Sequence, residues 1–99
     1  MAYTYPFNSA NEKDKQSVWS KGTKIVDKGK PYDAAVWRWD ECGDVMKYSE
    51  HGNRNSKHGW EIDHINPASK GGSDHISNLQ PLNWKNNQAK GDTFPWSCS

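Results

Sequence analysis

The chain has 99 residues, a length that suits one small domain, and its formal net charge of +1 does not by itself indicate a nucleic-acid-binding surface. Aliphatic side chains are scarce, so the six Trp, four Tyr and two Phe must provide much of the buried surface. The N-terminal segment lacks the basic and apolar regions of a secretory signal, and no apolar run is long enough to cross a membrane. We therefore expect a cytoplasmic protein with no membrane partner.

The two cysteines, Cys42 and Cys98, lie far apart in the sequence. They permit a disulfide but do not require one, and two reduced thiols fit the sequence equally well. The cysteine content therefore leaves the redox state of the protein open.

Short patterns and helix-breaking residues predict the elements of the first half. Residues 1–11 are expected to form an irregular arm rich in Asn and Ser. A short helix is predicted over 12–21, because the next residue is a glycine. After a turn at 28–31, a second helical stretch is predicted over 32–39, where two alanines occur without a helix breaker.

Alternating patterns predict two strands and a helix in the second half. In residues 45–49, Met46 and Tyr48 alternate with Val45, Lys47 and Ser49, and in residues 60–65 apolar and polar side chains alternate. Such alternation is typical of strands. A long loop is predicted over 66–74, where a proline and two glycines occur. A helix is predicted over 81–90, with a proline in its first turn and a glycine after its end. We expect the two strands to pair antiparallel and the helix to pack across them, an α+β arrangement.

Polar side chains suited to hydrolysis occur on these second-half elements. Asp63 and His64 end the second strand, Asn78 precedes the helix, and the helix carries Asn87. An imidazole can accept a proton from water near neutral pH. Carboxylate and amide oxygens suit Mg²⁺ or Mn²⁺, and an amide can tie a loop to a strand. The set therefore predicts a base, a cation held by oxygens and a residue that orients the base.

The predicted helix supports such a site. Asn83, Asn87 and Lys90 fall four and then three residues apart, so they share one helix face. Lys90 would then contact a phosphate as a point charge.

The ordered set of motifs resembles the signature of HNH endonucleases. The runs that carry the resemblance are Glu61-Ile62-Asp63-His64-Ile65-Asn66-Pro67, Ser69-Lys70-Gly71-Gly72, Asn78-Leu79-Gln80-Pro81-Leu82, Asn87 and Lys90-Gly91. The steps from His64 to Asn78 and from Asn78 to Asn87 match the family pattern. The resemblance covers roughly residues 40–92. It implies a small ββα-metal, or His-Me finger, fold, here with an N-terminal helical extension.

The resemblance also implies a role for each matching residue. Asp63 and Asn87 would be metal ligands, His64 the general base and Asn78 the residue that orients it. The implied cofactor is one divalent ion, Mg²⁺, Mn²⁺ or another transition metal, and the implied activity is hydrolysis of phosphodiester bonds in DNA. We expect one domain over 12–92 and a tail over 93–99.

Two features depart from the family pattern. Asn87 stands where many members have His, which should change the metal preference more than it abolishes activity. Many members also hold a structural zinc through two CxxC pairs, and the matching positions here are Cys42, Val45, Asn83 and Asn86. Only one cysteine remains, so we expect no structural zinc and expect packing, including that of tryptophans, to replace it.

Basic side chains along the sequence are candidate nucleic-acid contacts, although each is also open to the simpler interpretation of a solvated charge. They are Arg38, Arg54, Lys57, Lys70, Lys85 and Lys90. His75 is interpreted as a surface residue and Glu61 as a solvated strand residue. His51 and His58 could bind adventitious zinc together with Cys42, but three ligands without a repeating motif are a weak indication.

The leading hypothesis is a metal-dependent DNA endonuclease of a phage, mobile element, restriction system or toxin. It could depend on a specificity, immunity or packaging partner protein. A non-catalytic nucleic-acid-binding module of the same fold is the alternative from another class. Its mark would be loss of Asp63, His64 or Asn87, and all three are present. A zinc-binding structural protein is a third hypothesis, and the missing cysteines count against it.

Overall fold

A computed structural model of the chain describes residues 12–98, so the predicted arm over 1–11 lies outside the described residues. The regular elements are helix α1 (Glu12–Trp19), strands β1 (Thr23–Lys24), β2 (Val26–Asp27), β3 (Lys30–Pro31), β4 (Trp37–Trp39), β5 (Val45–Lys47), β6 (Trp60–His64) and β7 (Leu79–Asn83), and helix α2 (Trp84–Lys90). Short 3-10 turns follow β5 and interrupt the long connection between β6 and β7. Neither helix in this part of the chain has the length and apolar character needed to span a bilayer.

The strands form three antiparallel groups. β4 lies between β1 and β5, β2 pairs with β3 as a two-stranded ribbon, and β6 pairs with β7. In the last pair Trp60 lies opposite Asn83, and His64 lies opposite Leu79. Helix α2 follows β7 directly and contacts both strands of the pair. This ββα unit, preceded by α1, confirms the α+β fold with an N-terminal helix.

The helix predicted over 32–39 is wrong. Asp33 forms a turn instead, because its side chain accepts a hydrogen bond from the amide of Ala35 at 2.9 Å. The carbonyl of Asp33 also accepts from the amides of Val36 and Trp37. The chain then enters β4, which pairs with β5. The aspartate turn and the pairing with a neighbouring strand outweigh the helix propensity of two alanines, because propensity alone is a weak determinant of local structure.

The predicted strand pairing and the predicted start of the last helix are also wrong. The strand at 45–47 pairs with β4, and β6 pairs with β7. Pro81 lies within β7, opposite Ile62, because a strand at the edge of a sheet tolerates a residue without an amide hydrogen. Helix α2 begins at Trp84, and the Asn83 side chain caps it by accepting a hydrogen bond from the amide of Lys85 at 3.1 Å.

The core consists of aromatic and aliphatic side chains from both halves of the chain. Its buried members are Val18, Trp19, Met46, Trp60, Ile62 and Leu79, with Tyr48 packed against them. The Trp19 ring lies 5.0 Å from that of Trp60, centroid to centroid. Large rings thus compensate for the shortage of aliphatic residues. Helix α1, which ends two residues before its predicted end, contributes directly to this core.

A hydrogen-bond network around Asp40 joins three of the four positions where the resemblance places zinc-binding cysteines. Asp40 is 3% exposed. Its Oδ1 accepts from the amides of Cys42 and Asp44, both at 2.9 Å. Its Oδ2 accepts from the Asn83 amide at 3.0 Å and from the Asn86 side chain at 2.8 Å. Hydrogen bonds, and not packing alone, therefore hold this region.

A disulfide adds a second constraint to the same region. Cys42 is bonded to Cys98, with 5.5 Å between their Cα atoms, which ties the C-terminal tail to the loop before β5. The disulfide resolves the alternative that the sequence leaves open. In this state Cys42 offers no thiolate to a zinc ion, and the absence of a structural zinc itself stays a prediction.

We expect Asp40→Ala to lower the free energy of unfolding by about 3 kcal/mol, because four donors lose their acceptor in a mostly buried place. Asp44→Ala is the matched control. Asp44 is exposed and accepts a side-chain hydrogen bond from Asn86 at 2.7 Å, so its loss should cost about 0.5 kcal/mol. Urea denaturation of both variants measures the difference. Equal losses would contradict the central place of Asp40.

Candidate active site

The β6–β7 pair and α2 bring Asp63 and Asn87 into one interface, whereas the side chains of His64 and Asn78 bond to the loop between the two strands. Side chains alternate along β6, so Glu61 and Asp63 share one face of the strand. Asn87 of α2 donates its Nδ2 to Oε1 of Glu61 at 2.8 Å. Lys90, one turn later, donates its Nζ to Oδ1 of Asp63 at 3.3 Å and to the carbonyl of His64 at 2.8 Å. These bonds fix α2 in register with β6.

Asp63 is almost fully buried, with 2% of its surface exposed. Its Oδ2 accepts a hydrogen bond from Nε2 of Gln80 at 2.9 Å. Burial raises the pKa of Asp63 above its usual value, although the bond from Gln80 and the charge of Lys90 act in the opposite direction. A further positive charge at this place would stabilise the ionised carboxylate.

Asn87 is fully buried, and its Oδ1 has no hydrogen-bond partner among the described residues. A buried oxygen without a donor costs about 1–3 kcal/mol. A hard divalent cation would satisfy it, since Mg²⁺ and Mn²⁺ bind carboxylate and amide oxygens together with water. Asp63 and Asn87 therefore fit the predicted ligand pair. Within residues 12–98, no three His, Cys, Asp or Glu side chains gather as a metal site, and a pair completed by water does not need them.

The interpretation of Glu61 as a solvated strand residue is wrong, because only 13% of its side chain is exposed. Burial alone would raise the pKa of Glu61, but the hydrogen bonds donated by Arg54 and Asn87 together hold it below its usual value. An ionised carboxylate accepts hydrogen bonds, so the nitrogen of the Asn87 amide must face Glu61. Glu61 thereby turns Oδ1 of Asn87 away from itself. The alternation of side chains along β6 places Glu61 on the same face as Asp63, and this pattern in the sequence could have predicted that Glu61 contacts the site.

His64 is 4% exposed and lies one residue after Asp63, at the end of β6. Its Nε2 lies 2.6 Å from Oδ1 of Asp74, a loop residue whose side chain is 64% exposed. A carboxylate bonded to an imidazole fixes the tautomer and the orientation of the ring, and it stabilises the imidazolium that forms when the ring takes a proton. The pair is therefore suited to general-base chemistry.

Asn78 joins the two ends of the loop between β6 and β7. Its Oδ1 accepts from the amide of Asn66 at 2.9 Å. Its Nδ2 donates to the carbonyl of Asn66 at 3.0 Å and to that of Ser73 at 2.7 Å. The carbonyl of Asn78 also accepts from the amide of Ile65 at 2.8 Å. One residue thus fixes the loop and the strand end that carries His64.

Two glycines allow the sharp path of this loop. Gly71 has a φ of +86°, a left-handed conformation that suits glycine. At Gly72 a Cβ would lie 1.7 Å from the carbonyl oxygen of Asn66, which no side chain could tolerate. That carbonyl is the one that accepts the hydrogen bond from Asn78. The two glycines therefore belong to the geometry that supports the site.

Lys21 supports the same loop from outside the signature. Its Nζ donates to the carbonyl of Leu79 at 2.7 Å and to that of Ile76, on the two sides of Asn78. Burial lowers the pKa of Lys21. No local pattern connects a lysine after α1 to a carbonyl 55 residues later, so sequence reasoning could not find this contact.

The structure places most of the basic residues predicted to contact nucleic acid at the surface. Lys57, Lys70 and Lys85 are exposed. Arg54 is exposed too, and its guanidinium forms two hydrogen bonds of 2.8 Å with the carboxylate of Glu61.

Two further basic residues bond to the protein itself, Lys90 as a buried residue and Arg38 as a half-buried one. Lys90 is 3% exposed and is bonded to Asp63 and to the carbonyl of His64, away from the surface contact that the helix spacing predicts. Its long side chain reaches inward along α2. Arg38 donates to the carbonyls of Gly22 at 2.8 Å and Ala34 at 3.0 Å, so it links the segments on either side of the ribbon.

The fold thus contains a ββα unit in which the strand pair carries Asp63 and His64 and the helix carries Asn87. A family model for HNH endonucleases matches residues 40–93, just over half of the chain, and the chain belongs to this family. The matched part contains β5, β6, β7 and α2 and excludes α1 to β4. No curated protein matches the chain, and no solved structure does.

Proposed function

We propose that the protein is a metal-dependent endonuclease that hydrolyses phosphodiester bonds in DNA. In this proposal His64 is the general base, Asp63 and Asn87 hold one divalent cation, and Asn78 orients the base. Membership of the HNH family supports nuclease-type activity. The substrate, the cation and the roles of the residues rest on the chemistry of the site.

The observation that carries the proposal is the buried, unpartnered Oδ1 of Asn87. It belongs to the same β6–α2 interface as the carboxylate of Asp63. The hydrogen bond to Glu61 uses only the nitrogen of the amide, so it does not compensate the cost of burying the oxygen. An amide oxygen and a carboxylate are instead the ligand types that Mg²⁺ and Mn²⁺ take.

The residues of the chain divide the remaining work. The cation, when bound, neutralises charge that develops on the phosphate and the leaving oxygen. His64 takes a proton from the attacking water, and Asp74 stabilises the imidazolium that results. Asn78 keeps the loop and the strand end in place. Glu61 keeps the amide of Asn87 in the orientation that presents its oxygen.

Cleavage of supercoiled plasmid tests the proposal. The purified protein should nick the plasmid in the presence of Mg²⁺ or Mn²⁺, and excess EDTA should stop the reaction. His64→Ala, purified in the same way, controls for a contaminating nuclease. Binding of DNA without cleavage under any of these metals would favour the non-catalytic module instead.

Asn78→Ala should lower the cleavage rate by roughly 10–100-fold, less than His64→Ala, because supporting residues matter less than the group that moves the proton. The variant loses the three side-chain hydrogen bonds that close the loop. Ser77→Ala, an exposed neighbour, is the control. Single-turnover cleavage rates of the folded variants provide the comparison. A loss equal to that of His64→Ala would indicate a direct part in the chemistry.

The remaining assignments are proposals of the same kind. Lys57, Lys70, Lys85 and Arg54 are exposed cations that could meet phosphates, and a partner protein could supply sequence specificity. The Cys42–Cys98 disulfide counts against the cytoplasmic location expected from the sequence, because disulfides persist mainly in oxidising compartments.

A further inference from the structure

The charges of the chain are unevenly divided between the family-matched part and the segment before it. Residues 40–98 contain six Lys and Arg against eight Asp and Glu, a net charge of −2. Residues 12–39 contain seven against four, a net charge of +3. Arg54 and Lys90, two of the six cations in the matched part, are already paired with carboxylates. Affinity for DNA comes largely from Lys and Arg that neutralise phosphates, so the matched part alone is poorly equipped for it.

The ribbon formed by β2 and β3 concentrates exposed cations of the first segment. We call residues 24–32 the basic ribbon. Its three lysines, Lys24, Lys28 and Lys30, are all exposed, and Asp27 is its one acidic residue. The basic ribbon therefore presents three exposed positive charges on a short stretch of surface.

The basic ribbon consists of the two-stranded hairpin of β2 and β3 and of Lys24, which ends β1 just before it. Its tip, Lys28-Gly29, has positive φ at both residues, +52° and +78°, which is the geometry of a tight two-residue hairpin turn. Ile25, 5% exposed, anchors its base, where the carbonyl of Ile25 accepts from the amide of Tyr32 at 3.0 Å. Val26 and Tyr32 are 63% and 47% exposed, so large apolar side chains accompany the lysines.

From this arrangement we infer that the basic ribbon docks on duplex DNA and supplies most of the electrostatic affinity of the chain for it. The choice of DNA rests on the proposed function. A two-stranded antiparallel ribbon fits the major groove of B-DNA, and lysines at its edges reach the flanking phosphates. Apolar side chains such as Val26 and Tyr32 can contact thymine methyl groups there.

The position of the basic ribbon is compatible with delivery of DNA to the site. A cleft of about 220 Å³ is lined by Lys21, Gly22 and Thr23, just before the basic ribbon, and by Gln80 of β7. Gln80 donates to Asp63 within the site. DNA held by the basic ribbon would thus lie beside the strand pair that carries Asp63.

The test is DNA binding measured by fluorescence anisotropy with a labelled duplex of about 30 base pairs, in EDTA, across about 50–200 mM salt. The variant Lys24→Gln/Lys28→Gln/Lys30→Gln should bind roughly 10–100-fold more weakly at low salt. The slope of log affinity against log salt should fall by about 2–3, because each phosphate contact contributes about 0.9. Arginine at the same three positions keeps the charge and should restore both values. Glutamine at Lys57, Lys70 and Lys85, three exposed lysines of the matched part, should have a smaller effect.

Several outcomes would overturn the inference. One is a glutamine variant of the basic ribbon that keeps the affinity and the salt slope of wild type. Another is failure of the arginine variant to restore binding. A third is an equal or larger loss of affinity when Lys57, Lys70 and Lys85 are replaced by glutamine. Thermal unfolding of each variant shows that the fold is intact. The assay needs no cleavage. If the protein binds DNA through the basic ribbon but never cleaves it, the proposed function is wrong and this inference stands. If it cleaves DNA but binds it equally well without the three lysines of the basic ribbon, this inference is wrong and the proposed function stands.

Discussion

His64→Ala should lower the cleavage rate by about 10²–10⁴-fold and leave the affinity for Mn²⁺ nearly unchanged. The imidazole moves the proton in our proposal and is not a metal ligand. The proposed ligands, Asp63 and Asn87, remain in place in the variant. Cleavage rate measured against Mn²⁺ concentration separates the two quantities, since the plateau reports the chemistry and the midpoint reports the metal.

His75→Ala is the matched control for this prediction, because His75 is an exposed histidine of the same loop. Its plateau and midpoint should stay near those of wild type. A His64→Ala variant that needs more Mn²⁺ but reaches the wild-type plateau would show that His64 is a ligand. The assignment of the base would then be wrong.

Asp63→Ala should instead raise the Mn²⁺ concentration for half-maximal cleavage by roughly tenfold or more, because it removes the ionised carboxylate from the proposed ligand pair. A neutral amide alone holds a hard cation poorly. High Mn²⁺ should therefore restore part of the rate of Asp63→Ala and almost none of the rate of His64→Ala.

Asp63 also accepts hydrogen bonds from Gln80 and Lys90, so the alanine variant could lose stability. Asp63→Asn keeps the shape of the side chain and an oxygen that accepts from Lys90, and it removes the charge together with the hydrogen bond from Gln80. Asp44→Ala removes an exposed carboxylate elsewhere and should leave the midpoint unchanged. An unchanged midpoint in Asp63→Asn and Asp63→Ala would remove Asp63 from the metal site.

The parts of the fold that the sequence predicts correctly are those with strong local patterns. The alternation of residues 60–65 locates β6, whose observed bounds are Trp60–His64. The glycine after residue 21 marks the end of α1 to within two residues. The order and spacing of Asp63, His64, Asn78 and Asn87 indicate the HNH family, which the family model confirms.

The parts that the sequence predicts wrongly depend on partners distant in the chain. Pro81 suits the first turn of a helix and equally suits the edge of a sheet, and only its pairing with Ile62 decides between them. The segment 37–39 alternates Trp-Arg-Trp over only three residues, which is too short to identify a strand, and its pairing with β1 and β5 determines its structure.

The same limit applies to the site. The spacing of Asn87 and Lys90 shows that they share a helix face, but it does not show which side chain reaches the surface. The contact of Asp74 with His64 and the contact of Lys21 with the loop arise from loop geometry that no periodic pattern encodes.

The most direct test of the metal site is the effect of Mn²⁺ on the free energy of unfolding of wild type and Asn87→Ala, measured by urea denaturation. A ligand that binds only the folded state stabilises it by about 2.7 kcal/mol at 100 times its dissociation constant. We expect Mn²⁺ to stabilise wild type and Gln88→Ala, an exposed neighbour on α2, to a similar extent, and Asn87→Ala far less. Equal stabilisation of wild type and Asn87→Ala, or no effect of Mn²⁺ on wild type, would contradict the account of Asp63 and Asn87 as the ligands of the cation.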